Sequence, residues 1–384
     1  MHTVIVGGGF AGIKTALELS KASIGKVTLI SDRPYFLHHS SLYATAIDRS
    51  KDASVISLAD IFAKHHDVSI VEDTITSVDP ARHLVVSKKK SYSYDNLVLA
   101  LGSHNLYLNG NKAVKKGSSV NTLEEALKFQ AKLQKEIKST QPTKLYTIIG
   151  GGTTGVELAG ALSTYVAGYT KKQANARPPI KVRLVEAHER ILPDMSITAS
   201  RVVSKRLNHL GVEVLTGQRI TPLDDTYITI DGQKTKASSV IWTSGFINNT
   251  FFNQHDHYFD IESNGLVNVD PFLQAYPHIY VIGDNANVKG AGYARSAIAM
   301  GTYLARHLVK KETHTFTHGY RPYMPTLSLS IGDDWGYVEK YGVYASGSVG
   351  AYLQRQIELK TYRQLASANL ARSAWSAHNE KVSK

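Results

Sequence analysis

Two glycine-rich turns carry the residue types and spacing from which chemistry could be built. Gly7-Gly8-Gly9-Phe10-Ala11-Gly12 follows the apolar run Thr3-Val4-Ile5-Val6, and Gly150-Gly151-Gly152-Thr153-Thr154-Gly155 follows Tyr146-Thr147-Ile148-Ile149. Each reads G-x-G-x-x-G between a short apolar stretch and a helical pattern, over 13–20 in the first copy and 156–162 in the second, the setting in which the motif binds a dinucleotide. Gly7 and Gly150 permit the tight turn, Gly9 and Gly152 let backbone approach a pyrophosphate, and Gly12 and Gly155 let the helix pack close to the strand. Phe10, Ala11 and Thr154 lie where the helices open, and a helix N-terminus presents free N–H groups and partial positive charge to phosphates.

Acidic residues follow at the spacing of a ribose contact. Lys26-Val27-Thr28-Leu29-Ile30-Ser31-Asp32 places Asp32 twenty residues beyond Gly12, and Lys181-Val182-Arg183-Leu184-Val185 ends at Glu186. A carboxylate there accepts hydrogen bonds from ribose hydroxyls and repels a 2′-phosphate. Glycine turns also serve plain strand–helix packing, but two copies, each with an acid-ended strand behind it, favour ligand binding. His38 and His39 follow an aromatic pair without the Cys or carboxylate pattern of a metal site. They are expected to be solvated or hydrogen-bonded, and no metal is predicted.

The elements that must hold these turns can be placed. Tyr94-Asp95-Asn96-Leu97-Val98-Leu99-Ala100-Leu101-Gly102 and Ile279-Tyr280-Val281-Ile282-Gly283-Asp284 read as buried strands ending in glycine turns, and Val240-Ile241-Trp242-Thr243-Ser244-Gly245 as the closing strand of the second fold. Asn121-Thr122-Leu123-Glu124-Glu125 has the pattern of a helix capping box. The expected organisation is α/β, with a split first dinucleotide domain (1–115 and 261–318), a second inserted within it (116–260), and a small C-terminal α+β region (319–384).

Composition narrows the chemistry. The sequence has no cysteine, which excludes a disulfide framework, a thiolate metal site and a redox-active dithiol. The 44 basic and 32 acidic residues leave a net charge of +12, consistent with an anionic partner surface, although no dedicated nucleic-acid motif is present. No apolar run approaches the ~18–20 residues needed to cross a bilayer. Met1-His2 leads straight into a strand pattern, so no export signal is expected. From Gly350 onward Leu353, Ile357, Tyr362, Leu365 and Leu370 interleave with Arg355, Lys360, Arg363 and Arg372. That imperfect stripe suits a helix lying on an anionic membrane surface, and equally one that packs on the protein or forms a homodimer.

The ordered set of the first turn, Ala100-Leu101-Gly102, the second turn continuing into Gly155-Val156-Glu157-Leu158-Ala159-Gly160, Thr243-Ser244-Gly245 and Gly283-Asp284 resembles the two-dinucleotide-domain flavoproteins of the pyridine nucleotide–disulfide oxidoreductase superfamily. It covers residues 2 to about 310. The segment from Pro34 through Leu42-Tyr43-Ala44-Thr45-Ala46, the nicotinamide-side helix and the glycine-rich C-terminal region are similar to type II NADH dehydrogenases in particular. The resemblance implies two Rossmann-like domains, FAD in the first and NADH in the second, with Asp284 on the ribityl chain of the flavin. It further implies electron transfer from NADH through flavin to a quinone without proton pumping, in a cytoplasmic enzyme peripheral on the inner face of the cell membrane. The absence of cysteine argues against the disulfide and sulfide:quinone reductases of the superfamily.

Two departures stand out. The family carries glutamines on its quinone-side helix where this chain has Arg295, beside Ala294, and Ala299. Ser31 stands where the family has its first-fold carboxylate, leaving Ser31 and Asp32 both as candidates for the FAD ribose. Glu157, two residues past Gly155, either positions the nicotinamide or is merely favoured by the helix dipole, an effect of ~0.3–1 kcal/mol. Arg295 either stabilises the charge of reduced flavin or is a surface or salt-bridging arginine. Rival readings are a soluble NADH-dependent flavin enzyme with another small acceptor, such as oxygen, and a flavoprotein acting as a binding or signalling module.

Overall fold

The computed structural model describes residues 1–105, 117–138, 144–172, 180–222, 224, 226–236, 239–244 and 246–379. Its first sheet has six strands in the order Gln274–Tyr276, Ile279–Val281, Asn96–Leu99, His2–Val6, Lys26–Ser31, Val68–Glu72. All neighbours are parallel except the edge pair Gln274–Tyr276 with Ile279–Val281. The central strands are nearly continuous runs of buried Val, Ile and Leu, as a sheet covered on both faces requires. The strand Ile279–Val281 joins this sheet from far along the chain, completing the fold begun by the first turn.

A second, five-stranded parallel sheet is ordered Ser118–Ser119, Val240–Trp242, Lys144–Ile149, Ile180–Val185, Glu213–Leu215. The helix Leu123–Ile137 leads into it and opens on a complete capping box: Thr122 Oγ1 accepts from Glu125 N, and Glu125 Oε2 accepts from Thr122 N, each at 3.2 Å. The C-terminal region is a three-stranded antiparallel sheet, Leu327–Ser330, Gly336–Lys340 and Val343–Ser346, followed by the helices Gly347–Arg363 and Ala368–Asn379.

Of the readings left open for the C-terminal stripe, these last helices show the one in which it packs on the protein. Tyr362 and Leu365 are fully buried in the core of the first fold, with Ala371 and Ala374, and Ile357 and Leu370 are half-buried. Of the five stripe positions Leu353 alone is exposed. The stripe packs inward because Tyr362 finds polar partners there: its hydroxyl donates to Ala53 O at 3.0 Å and meets Ser41 Oγ at 3.1 Å. Exposed apolar side chains gather instead on the hairpin and the first turns of the next helix, at Tyr341, Val343, Tyr344, Val349, Tyr352 and Leu353.

This packing sets a stability contrast. Leu365→Ala is expected to lose ~2–5 kcal/mol, as buried leucine truncations do, whereas Leu353→Ala should stay within about 0.5 kcal/mol. Urea denaturation of both variants checks this, and equal midpoints would contradict the inward packing.

Candidate active site

The two turns are built to the same plan. In the first, Gly7 N–H donates to Ile30 O at 2.8 Å; in the second, Gly150 N–H donates to Val185 O at 2.8 Å. A Cβ on Gly12 would lie 2.0 Å from Gly7 O, and one on Gly155 would lie 1.8 Å from Gly150 O. Only hydrogen fits at those two contacts. By contrast, a Cβ on Gly9, Gly102 or Gly152 would meet nothing within 4 Å among the described residues. The second glycine of each turn therefore borders open space, where a pyrophosphate would approach backbone. The helix Phe10–Ala22 starts at Gly9 with no side-chain cap, leaving its first N–H groups free for an anion.

The shared hydrogen bond settles which residues correspond. Ser31 follows Ile30 as Glu186 follows Val185, so Ser31 is the counterpart of Glu186. Ser31 is buried beside Gly8, whose Cβ would fall 2.6 Å from Ser31 Oγ. Asp32 lies one residue further on, exposed and paired with Arg33 at 3.1 Å. Glu186 receives hydrogen bonds from Gly151 N (2.7 Å), His188 N (2.9 Å) and His188 Nδ1 (2.7 Å). Burial pushes its carboxyl up, but these donors outweigh burial and hold it below the usual range.

The return segment closes on the first turn through Ala11. Gly283 would place a Cβ 3.5 Å from Ala11 Cβ, and Gly301 would place one 2.6 Å from Ala11 O. The helix Ala294–Glu312 is thereby laid against the helix Phe10–Ala22, with Ala294 and Arg295 at its uncapped start. Arg295 is half-buried, its guanidinium 5.5 Å from the Tyr323 ring centroid. Asp284 accepts from Ser103 Oγ at 3.2 Å, and burial pushes its carboxyl up. The neighbouring Asn285 donates to Gly102 O at 2.9 Å, while its Oδ1 is buried without a partner among the described residues. Open second glycines, free helix N–H groups and this orphaned acceptor suit two bound dinucleotides. Gly245 lies outside the described residues; Ser244 before it abuts Gly150, whose Cβ would fall 2.6 Å from Ser244 Cβ.

Glu157 is buried, and its Oε1 accepts from Ser330 N at 3.0 Å. Burial first, and the nearby Glu358 charge, push its carboxyl up to about 8 against the Ser330 hydrogen bond. It therefore keeps its proton near neutral pH, which disfavours the simple dipole explanation, since that needs the charged form. Sequence reasoning did not find Ser330, Glu358 or His378 around this group: Ser330 lies 173 residues away along the chain, and no local motif marks it. His38 is buried and bonded to Ser41 Oγ through Nδ1 at 2.7 Å, whereas His39 is exposed.

Two cradles of this kind, one sheet inserted within the other, define a two-dinucleotide oxidoreductase. The chain belongs to the pyridine nucleotide-disulphide oxidoreductase family, whose pattern matches residues 1–301. It is 26% identical to type II NADH:quinone oxidoreductase Ndh of Mycobacterium tuberculosis over 79% of this chain and 71% of that protein. Ferroptosis suppressor protein 1 of Mus musculus is 24% identical, covering 90% of each. The structure of NDH2 from Plasmodium falciparum in complex with NADH superposes with a TM-score of 0.85, at 17% identity, over 98% of this chain and 97% of that one.

The glycine geometry separates folding from binding. Gly152→Ala has room for its methyl and should fold normally while raising the KM for NADH about tenfold or more, whereas Gly155→Ala should fail to fold. Thermal melts beside NADH titrations check this; unchanged NADH affinity in Gly152→Ala would remove that turn from the cofactor site.

Proposed function

We propose that this protein is a single-chain, FAD-dependent NADH dehydrogenase that passes electrons to a quinone without pumping protons. The observation that carries the reading is the pair of matched cradles in a sequence without cysteine: electrons leave through a diffusible acceptor, because no dithiol is present to take them. The similarity to type II NADH:quinone oxidoreductases supports quinone as that acceptor. The units follow the boundaries drawn above, with FAD on residues 1–115 and 261–318 and NADH on 116–260.

When bound, FAD supplies the redox chemistry, accepting a hydride from NADH and releasing two electrons to the acceptor. The chain supplies position and charge. Gly7, Gly9, Phe10, Ala11 and Gly12 seat the FAD pyrophosphate on a helix N-terminus, Ser31 faces its ribose, and Gly102, Gly283, Asp284 and Ala294 border its other half. Gly150, Gly152, Thr154 and Gly155 do the same for NADH, and Glu186 takes the adenosine ribose, favouring NADH over NADPH. Arg295 and the start of its helix hold negative charge near the flavin. Glu157 carries a proton on its carboxyl close to the nicotinamide side.

Attachment to an anionic membrane surface is assigned to the exposed apolar group rather than to the tail stripe. Tyr341 is 85%, Val343 77%, Val349 63% and Tyr352 61% exposed, beside Lys340. Such side chains sink into the interface while the cation meets headgroups. No helix among the described residues is long and apolar enough to cross a membrane.

In anaerobic stopped flow, NADH should bleach the bound flavin and a soluble quinone should restore its colour. Restoration by oxygen alone would favour the rival flavin enzyme. Changing Val343, Val349 and Tyr352 together to serine should lower co-sedimentation with anionic liposomes several-fold, leaving flavin reduction by NADH intact; unchanged binding would clear this surface of the role.

A further inference from the structure

The reaction proposed above sets a proton balance. NADH gives up two electrons and one proton as hydride, while a quinone becomes a quinol by taking two electrons and two protons. One proton per turnover therefore comes from water, through a fold that buries the groups around the cofactors.

A cluster next to Glu157 is suited to carry it. Glu358, on the helix Gly347–Arg363, faces His378 on the helix Ala368–Asn379, with Oε1 and Nε2 3.4 Å apart and both side chains buried. Asn379, half-buried at the end of its helix, donates to Glu358 Oε2 at 3.3 Å. On the inner side, the Tyr43 ring stands edge-on to His378 at 5.8 Å. Tyr43 is buried, and burial first, then the charges of Glu157 and Glu358, push its hydroxyl well above the usual range. His378 Nδ1 and His38 Nε2 are both buried without a partner among the described residues, and the two rings are near enough to influence each other electrostatically. His38 stacks on Tyr362 at 4.5 Å and meets Phe10 of the first turn at 5.2 Å. The cluster thus spans from the first cradle to the helix of the second, with Arg49 the further charge acting on Tyr43.

A helical clasp is the plainer explanation, but the two helices are already tied. Trp375 Nε1 donates to Arg355 O at 2.9 Å, and Ala371 and Ala374 are buried in the core. A buried ionisable pair is an expensive clasp, since replacing such pairs by apolar residues is often neutral or stabilising.

We propose that Glu358 and His378 form a proton relay that reloads Glu157, across Tyr43, after each acceptor reduction. This rests on the function proposed above. A proton held by the pair replaces the one lost from Glu157, the pair is recharged from water at the Asn379 end, and only O–H and N–H bonds form and break. Glu358 and His378 act through Glu157 and touch no substrate.

The test compares acceptors with and without a proton demand. In single turnovers of the NADH-reduced holoenzyme, Glu358→Gln and His378→Gln should slow reoxidation by a soluble quinone at least about tenfold more than reoxidation by ferricyanide, which takes electrons alone. Glu358→Asp should recover part of the quinone rate. Independently of turnover, the infrared carboxylic band of Glu157, identified by its loss in Glu157→Gln, should titrate at lower pH in Glu358→Gln, because a neighbouring negative charge is gone. Equal slowing with both acceptors, or an unmoved Glu157 midpoint, would overturn the relay. If the wild type reduces no quinone, the proposed function fails, and the infrared midpoint alone decides the relay.

Discussion

Everything at the active site depends on how closely each fingerprint helix approaches the strand that precedes it. With Gly12 pressed against Gly7 O and Gly155 against Gly150 O, no side chain separates helix from turn. A larger residue at either position would lift the helix off its sheet and carry its N–H groups away from the place where a phosphate must sit. The same closeness propagates outward. Ala11, one residue before Gly12, is the contact on which Gly283 and Gly301 both rest, so the return segment is placed by the first turn. Asp284 and Arg295 are brought to the first turn by that packing, and the Ser103 hydrogen bond and the Tyr323 ring then hold them locally.

The two turns, the buried strands and the capping box at Thr122 were legible in the sequence because each is a local pattern, readable within about ten residues. What stayed ambiguous depended on register or on distance. Ser31 and Asp32 differ by one residue, and only the hydrogen bond from Gly7 to Ile30, set beside that from Gly150 to Val185, shows which of them matches Glu186. The C-terminal stripe had the periodicity of an amphipathic helix, but periodicity records that a face is apolar and not what covers it. Tyr362 is covered by Ser41 and Ala53, more than three hundred residues earlier.

The missing first-fold carboxylate and the retained second one fit different demands. On the proposed function, NADH must be distinguished from its 2′-phosphorylated form, and a carboxylate at Glu186 would do this by repulsion. FAD has no such competitor, so on the same proposal a serine at the corresponding place would sacrifice a hydrogen bond to ribose but no discrimination. The dense donor set around Glu186, with Gly151 and His188 contributing three bonds, keeps that carboxylate charged, which repulsion requires.

Glu157 shows the opposite arrangement, and it binds the three parts of the molecule into one electrostatic unit. It comes from the second dinucleotide fold, its hydrogen-bond donor Ser330 from the C-terminal sheet, and the charge that adds to burial in raising its proton affinity, Glu358, from a C-terminal helix. Two carboxylates buried near each other are tolerated when one of them holds a proton. The protonation of Glu157 is consequently a property of the assembled chain and would differ in a dinucleotide fold standing alone. Burial, the Ser330 hydrogen bond and the Glu358 charge, the last two from the C-terminal region, thus act together on one carboxyl of the second fold.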